Sequence, residues 1–211
     1  MKKINFNILL LTCVMCLVPI PFGIYYYQDL PELVAVHFDI NNNPDGFMSR
    51  EWFVFGMPVI ISFIQVFLCI IIDLKSENTG KRNKSSLVYK LLVPFISVLM
   101  YVMIILYTMT FGIDILKVAA LILGIVFIVI GIDLPNAEDA YINFPKINDE
   151  KVYQKTKNVF GKIFIIDGIL SLVASLFDYH YLLVIVLLLF IEAIGLLIFA
   201  TSYNMKLKRK K

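Results

Sequence analysis

The sequence lacks most of the side chains and motifs on which enzymes and metal sites depend. Only 17% of its 211 residues are charged, and it has two histidines and three cysteines. It contains no glycine-rich phosphate loop, no nucleophile elbow and no His-x-x-x-His pair. We therefore predict no enzymatic activity, no cofactor and no metal. A zinc site made from His37 and His180 would require these two residues to converge, which a sequence does not show.

The few cysteines do not indicate redox chemistry or disulfides. Cys13 and Cys16 form a Cys-x-x-Cys pair, but both lie in an apolar run with no histidine or acidic residue nearby. Cys69 lies in a second apolar run. We interpret all three as small apolar packing residues.

What the sequence has in abundance is long apolar runs. Hydrophobic residues make up 60% of the chain, and each run is close to the ~20 residues that a helix needs to cross a bilayer. A segment inside lipid must satisfy its own backbone hydrogen bonds, so we expect helices at this length. Six runs are predicted to span the membrane: residues 8–27, 52–73, 88–110, 116–134, 158–177 and 180–202.

The positive charges predict one orientation for these spans. Of the 19 Lys and Arg residues, all but Arg50 and Lys117 lie before the first run or around the connections that follow the second, fourth and sixth. Positive residues stay on the cytoplasmic side, so both termini and the loop 135–157 are predicted to be inside. The basic residues are spread over four membrane edges, which fits contact with anionic lipid heads and not with nucleic acid. The predicted fold is an all-α membrane protein, one domain over 1–211, built as a six-helix bundle.

The segment 28–51 between the first two spans is predicted to be a short, structured loop on the outer side. It carries five acidic residues against Arg50 alone. The stretch LVAVHF is rich in β-branched residues and predicts a short strand. The following NNNPDG, residues 41–46, is dense in residues that favour turns.

An ordered series of residues crosses this outer segment. It consists of Leu30-Pro31-Glu32, His37-Phe38, Asn41, Pro44-Asp45-Gly46-Phe47 and Ser49-Arg50. The series resembles the extracytoplasmic motif in the N-terminal module of the bacterial SdpI immunity-protein family. Two positions depart from that motif, because Ala35 stands where proline is usual and Asn42 where glycine is usual. Asparagine is the mildest replacement for glycine at positive φ, so the turn need not change.

The second half of the chain resembles the same family more loosely. Gly131-Ile132-Asp133-Leu134-Pro135 follows the family's pattern at the end of its fourth helix. Residues 152–157, followed by Gly161, follow the outline of a cytoplasmic segment. Tyr153 stands there in place of tryptophan and Lys157 in place of histidine.

The resemblance implies an immunity or toxin-sensing protein in the bacterial cell membrane. Such proteins protect a cell from its own secreted antimicrobial peptide, and are implied to hold a transcriptional repressor at the membrane. The acidic outer segment would suit a cationic peptide. Candidate peptide contacts are Pro31, His37, Asn41, Pro44, Asp45, Gly46 and Arg50, and candidate repressor contacts are Pro135, Tyr153, Lys155 and Thr156. For His37 the alternative is an ordinary structural hydrogen bond within the loop.

Two acidic residues lie well inside the last two apolar runs. Asp167 and Glu192 are placed almost symmetrically about the short turn at 178–180, about 17–18 Å below it at ~1.5 Å per residue. Three interpretations are open: the two share a proton, they bind a cation or relay protons, or each pairs with a hydroxyl on another helix. The second interpretation defines an alternative function, a small proton- or cation-coupled transporter or efflux component.

Overall fold

The computed structural model describes residues 4–75, 84–110, 112–137, 147–176, 191–192, 194–196 and 198–206. The described part of the chain is mostly helical and forms two compact units, residues 1–119 and 120–211.

Four helical stretches are long and apolar enough to cross a membrane, which points to a multi-pass membrane protein. They are Phe6–Tyr25, Trp52–Leu74, Leu87–Met109 and Ile115–Asp133. Each begins and ends within two residues of one of the first four predicted runs. The first stretch is broken into α1 (Phe6–Leu17) and α2 (Pro19–Tyr25), because proline cannot continue the backbone hydrogen bonds of a helix but is well placed at a helix start.

The fifth and sixth spans remain predictions. The fifth lies mostly in α6 (Glu150–Ala174), a helix that also carries Lys157, Lys162 and Asp167 and is therefore less apolar than the other four. The sixth lies largely outside the described residues. Its described parts at 191–192, 194–196 and 198–206 are helical.

The predicted outer segment folds into a two-stranded antiparallel hairpin, β1 (Leu33–Phe38) and β2 (Pro44–Ser49). The strand predicted from LVAVHF is therefore confirmed. A short π-helical segment, Trp52–Gly56, leads from β2 into α3 (Met57–Lys75). α4 (Lys84–Thr110) and α5 (Ile115–Asp133) follow.

An apolar cluster fixes the hairpin to the helices of the first unit. Val34 of β1 and Phe53 of the π-helical segment are 0% exposed and pack in one cluster with Tyr101 of α4. The Phe53 and Tyr101 rings stack with centroids 4.6 Å apart. Gly23 of α2 makes room for this, because a Cβ there would lie 1.9 Å from the Tyr101 hydroxyl. The hairpin is therefore held from beneath by packed aromatic rings.

A buried ion pair joins the predicted inner ends of α3 and α4. The ammonium of Lys90 lies 2.5 Å from Oδ1 of Asp73, and Lys90 is 1% exposed. Oδ2 of Asp73 accepts a hydrogen bond from the Asn5 backbone amide at 3.0 Å, which ties in the start of α1. Lys90 is one of the basic residues from which the orientation is predicted, and its side chain is buried against Asp73.

Two glycine pairs bring α5 and α6 into backbone contact in the second unit. A Cβ on Gly131 would lie 2.6 Å from the Gly161 carbonyl oxygen, and one on Gly124 would lie 2.8 Å from that of Gly168. The two glycines of each helix are seven residues apart, so they fall on one face of each antiparallel helix. Inside lipid, close approach of backbones replaces the hydrophobic effect as the attraction between helices. Ser171 adds a hydrogen bond of 2.7 Å to the Ala120 carbonyl.

Candidate ligand-binding surface on the hairpin

The turn of the hairpin is organised by one carboxylate. Oδ1 of Asp39 accepts hydrogen bonds from the backbone amides of Asn41 and Asn43, both at 2.8 Å. The Asn42 amide donates to the Asp39 carbonyl at 3.0 Å, which closes the turn. These hydrogen bonds, chiefly that from the Asn43 amide, hold the pKa of the Asp39 carboxyl below its ordinary value. The turn is thus ordered by its own polar groups although it lies at the surface.

Asn42 adopts the left-handed conformation and reaches a neighbouring helix. Its φ is 62°, the one positive φ at a non-glycine residue in the described part of the chain, which is a conformation that asparagine tolerates better than most residues. Its side-chain oxygen accepts a hydrogen bond from the Ile115 amide at 3.0 Å. The amide groups of a helix's first turn have no partner within the helix. Asparagine therefore makes a cap at the start of α5 that glycine would not make.

His37 and Asp45 form a pair on the exposed face of the hairpin. Nδ1 of His37 lies 2.5 Å from Oδ1 of Asp45, and their side chains are 73% and 48% exposed. Gly46 is paired with His37 across the strands, and a Cβ at Gly46 would lie 2.7 Å from that of His37. Gly46 therefore has the steric role of letting His37 lie flat beside Asp45.

Arg50 serves the inside of the loop. Its guanidinium donates to the carbonyls of Tyr27 and Leu30 at 3.1 and 3.0 Å. It also lies over the Tyr27 ring, 4.5 Å from the centroid. These contacts fix the turn that leads into β1, so Arg50 is a structural clamp for the segment.

The remaining outer candidates are exposed. Pro31, Asn41 and Pro44 lie at the surface with His37 and Asp45. The structure thus gathers most of the predicted outer residues on one small, ordered, net acidic element.

The inner candidates divide by burial. Tyr153 is 5% exposed and packs in a cluster with Ile147 and Ala200. Thr156 is 8% exposed and donates to the Val152 carbonyl at 2.7 Å. Pro135 is partly buried, and Lys155 is exposed. Of these four candidates only Lys155 is exposed.

The turn after α5 is held by α6. Gln154 donates to the Pro135 carbonyl at 2.7 Å. The buried ammonium of Lys157 donates to the Ala137 carbonyl, and Lys157 also lies 5.5 Å from the Tyr153 ring centroid. A cation at a helix C-terminus is stabilised by the helix dipole. Residues of the segment 152–157 therefore have a packing role at this turn.

Asp167 and Glu192 are brought together in the second unit. Their carboxyl groups lie close enough to interact electrostatically. Asp167 is 4% exposed, and its Oδ2 has no hydrogen-bond partner among the described residues. Two carboxylates contain no donor, so a hydrogen bond between them requires a shared proton. His180 lies outside the described residues, and in the part that is described no three His, Cys, Asp or Glu side chains converge as metal ligands.

Sequence reasoning missed three contacts of this surface and its support. The Asp73–Lys90 pair has a sequence signal, an acid that closes one apolar run and a base that opens the next. The Arg50–Tyr27 stack and the Asn42–Ile115 cap have none, because both join residues whose distance depends on the path of the loop.

Comparison with known proteins finds a similarity between part of the first unit and a domain with no assigned function. Residues 14–61 match the model of a family described as Domain of unknown function (DUF1648). The match begins within α1, contains the whole hairpin and ends in α3, so this part of the chain is similar to that domain. A search of the curated proteins found no match, and a search of the solved structures found none either.

Proposed function

We propose that this protein is an SdpI-like membrane immunity or sensing protein. It binds a secreted antimicrobial peptide at the hairpin and protects the cell that makes the peptide. A cytoplasmic repressor is a further partner in this proposal, with Lys155 on the accessible face of α6.

The observation that best supports this proposal is the exposed His37–Asp45 pair. It lies on a hairpin that several contacts hold in one conformation. The turn is closed by Asp39, capped onto α5 by Asn42 and packed on Tyr101 through Val34. An ordered element that leaves polar residues accessible is pre-organised for binding, because little conformational entropy is lost when a ligand docks. Its net negative charge would attract a cationic peptide.

The test is survival of a sensitive bacterium that expresses this chain and is challenged with membrane-active peptides secreted by the source strain. We expect protection by the native chain. His37→Ala and Asp45→Asn should each reduce protection at unchanged membrane abundance, because both change the exposed pair.

Lys155→Gln provides a control on the other predicted side of the membrane. It should leave protection by peptide binding intact, whereas it would weaken a response routed through a repressor. Absence of protection against every such peptide, at verified expression, would refute the immunity proposal.

A second candidate function is favoured by the proximity of the Asp167 and Glu192 carboxyl groups. A proton held between two carboxyl groups in an apolar setting, with Oδ2 of Asp167 unpartnered among the described residues, is suited to proton-coupled transport. The double variant Asp167→Asn with Glu192→Gln keeps a hydrogen-bond donor and removes the titratable proton. A transporter would lose activity with this variant while still folding, and an immunity protein would keep its protection.

A further inference from the structure

Beside the hairpin, an open pocket combines aromatic rings with one free carboxylate. It has a volume of about 530 Å³ and is lined by Ile24, Tyr25, Tyr27, Gln28, Asp29 and Phe55. The Tyr27 and Phe55 rings are 6.0 Å apart and tilted by 41°. Tyr25 is 78% exposed. All the lining residues belong to the first unit, close to the turn that Arg50 clamps.

The acidic residues of the outer segment differ in whether they are already engaged. Asp39 binds the turn amides and Asp45 binds His37. Glu51 accepts a hydrogen bond from the Tyr27 hydroxyl at 3.0 Å. The pKa of the Glu51 carboxyl is lowered chiefly by a hydrogen bond from its own backbone amide, and next by the bond from Tyr27. Among the described residues, the side-chain carboxylates of Asp29 and Glu32 make no hydrogen bond or ion pair, although the backbones of both residues are hydrogen-bonded. Asp29 lines the pocket and Glu32 does not.

One wall of this pocket, the Tyr27 ring, already contacts a cation within the protein. The Arg50 guanidinium lies 4.5 Å from the Tyr27 ring centroid, which is the geometry of a cation–π contact. The Tyr27 ring is held in place by its hydrogen bond to Glu51. A second cation entering the pocket would meet the exposed Tyr25 and Phe55 rings together with the unpaired Asp29 carboxylate.

We propose that this pocket is a subsite for a basic side chain, a guanidinium or ammonium group, of the secreted peptide. The assignment rests on the proposed function for the identity of the peptide. The cation preference rests on the pocket alone. A carboxylate beside aromatic faces attracts a cation both by its charge and through the ring quadrupoles. Neither effect would act on a neutral side chain of the same shape.

The experiment measures binding of dye-labelled hexa-arginine amide to the full chain in phosphatidylcholine nanodiscs, by fluorescence anisotropy at low ionic strength. Asp29→Asn should weaken binding by about two- to fivefold, the upper range for an exposed ion pair, because the aromatic rings remain in place. Glu32→Gln removes the same charge from the same segment outside the pocket and should change binding by less than about twofold. Tyr25→Phe should bind like the native chain, and Tyr25→Ala should bind more weakly.

Two results would overturn the proposal. Equal losses for Asp29→Asn and Glu32→Gln would show attraction by the whole acidic segment without a defined subsite. Equal affinity for hexa-citrulline, which has the same shape without the charge, would show that the pocket does not select a cation.

The survival assay separates this proposal from the proposed function. Hexa-arginine binding that depends on Asp29, in a chain that protects against no peptide, would support the subsite and refute immunity. Protection that depends on His37 and Asp45, in a chain whose hexa-arginine binding ignores Asp29, would support immunity and overturn the subsite.

Discussion

The hairpin and the α5–α6 pair hold their shape by opposite means. In the hairpin, polar side chains such as Asp39 and Asn42 direct the backbone through hydrogen bonds. In the α5–α6 pair, the absence of side chains at Gly131 and Gly161 lets the backbones touch. Water competes for hydrogen bonds at a surface, so a turn there needs several together. Helices in lipid gain most from close contact between surfaces.

The two regions are also expected to differ in role, the glycine contacts in stability and the exposed hairpin residues in recognition. The glycine pairs leave no room for an added atom, so changes there should act on folding. His37 and Asp45 lie at the surface and support little else, so changes there should act on binding.

Gly131→Ala should destabilise the second unit by about 1–3 kcal/mol, since an added methyl would overlap the Gly161 carbonyl. Gly195→Ala is the matched control. In the described structure nothing lies within 4 Å of a Cβ at Gly195, and alanine is the better helix former. Thermal unfolding in detergent, followed by circular dichroism, compares the two. Equal losses would contradict the close approach of α5 and α6.

Asn42→Ala should destabilise the hairpin by about 2 kcal/mol, the sum of a lost cap and of left-handed strain. Asn42→Gly removes the same cap without the strain and should lose about 1 kcal/mol less. Hydrogen exchange of the Ile115 amide should speed up in both variants. Unchanged exchange in both would mean that the Asn42 side chain does not cap α5.

His37→Ala should change the free energy of unfolding by less than about 1 kcal/mol, because an exposed ion pair contributes little. The same thermal unfolding measurement applies, with Asp45→Asn beside it. A loss as large as that of Gly131→Ala would mean that the pair is a structural element of the hairpin and would weaken its role in recognition.

The smallest effect expected is a pH dependence from Asp39. Its pKa lies below the ordinary value of 3.8, so its contribution is complete above that value and is lost as the pH falls through the lowered pKa. The turn should therefore be unchanged between about pH 7 and 5 and loosen only below about pH 4. Amide chemical shifts of Asn41 and Asn43 report this directly, and Asp39→Asn should abolish the transition.

The sequence predicted most of the regular structure and fewer of the contacts. Apolar length located the first four spans, and β-branched residues located β1, because both depend on local composition. The sequence predicts Arg50 and Tyr153 as candidates for contacts with partners. The structure commits Arg50 to the loop carbonyls and buries Tyr153 against Ile147 and Ala200. A motif position does not show whether a residue is used inside or outside the fold.

The proximity of Asp167 and Glu192 also shows what a sequence position does not determine. Equal depth in two predicted spans made a pair conceivable, but the helix faces decide it, and those depend on packing. The close approach through Gly124, Gly131, Gly161 and Gly168 also appears only when two helices are seen together.

The proposed function requires the hairpin to lie outside the cell, where a secreted peptide arrives. Glu32→Cys and Lys155→Cys place single thiols at two exposed positions, on the hairpin side and on α6, in a chain whose Cys13, Cys16 and Cys69 are replaced by alanine. Intact cells are treated with a membrane-impermeant maleimide. Our account predicts labelling at position 32 in intact cells and at position 155 only after permeabilisation. Labelling at 155 but not at 32 in intact cells would contradict it.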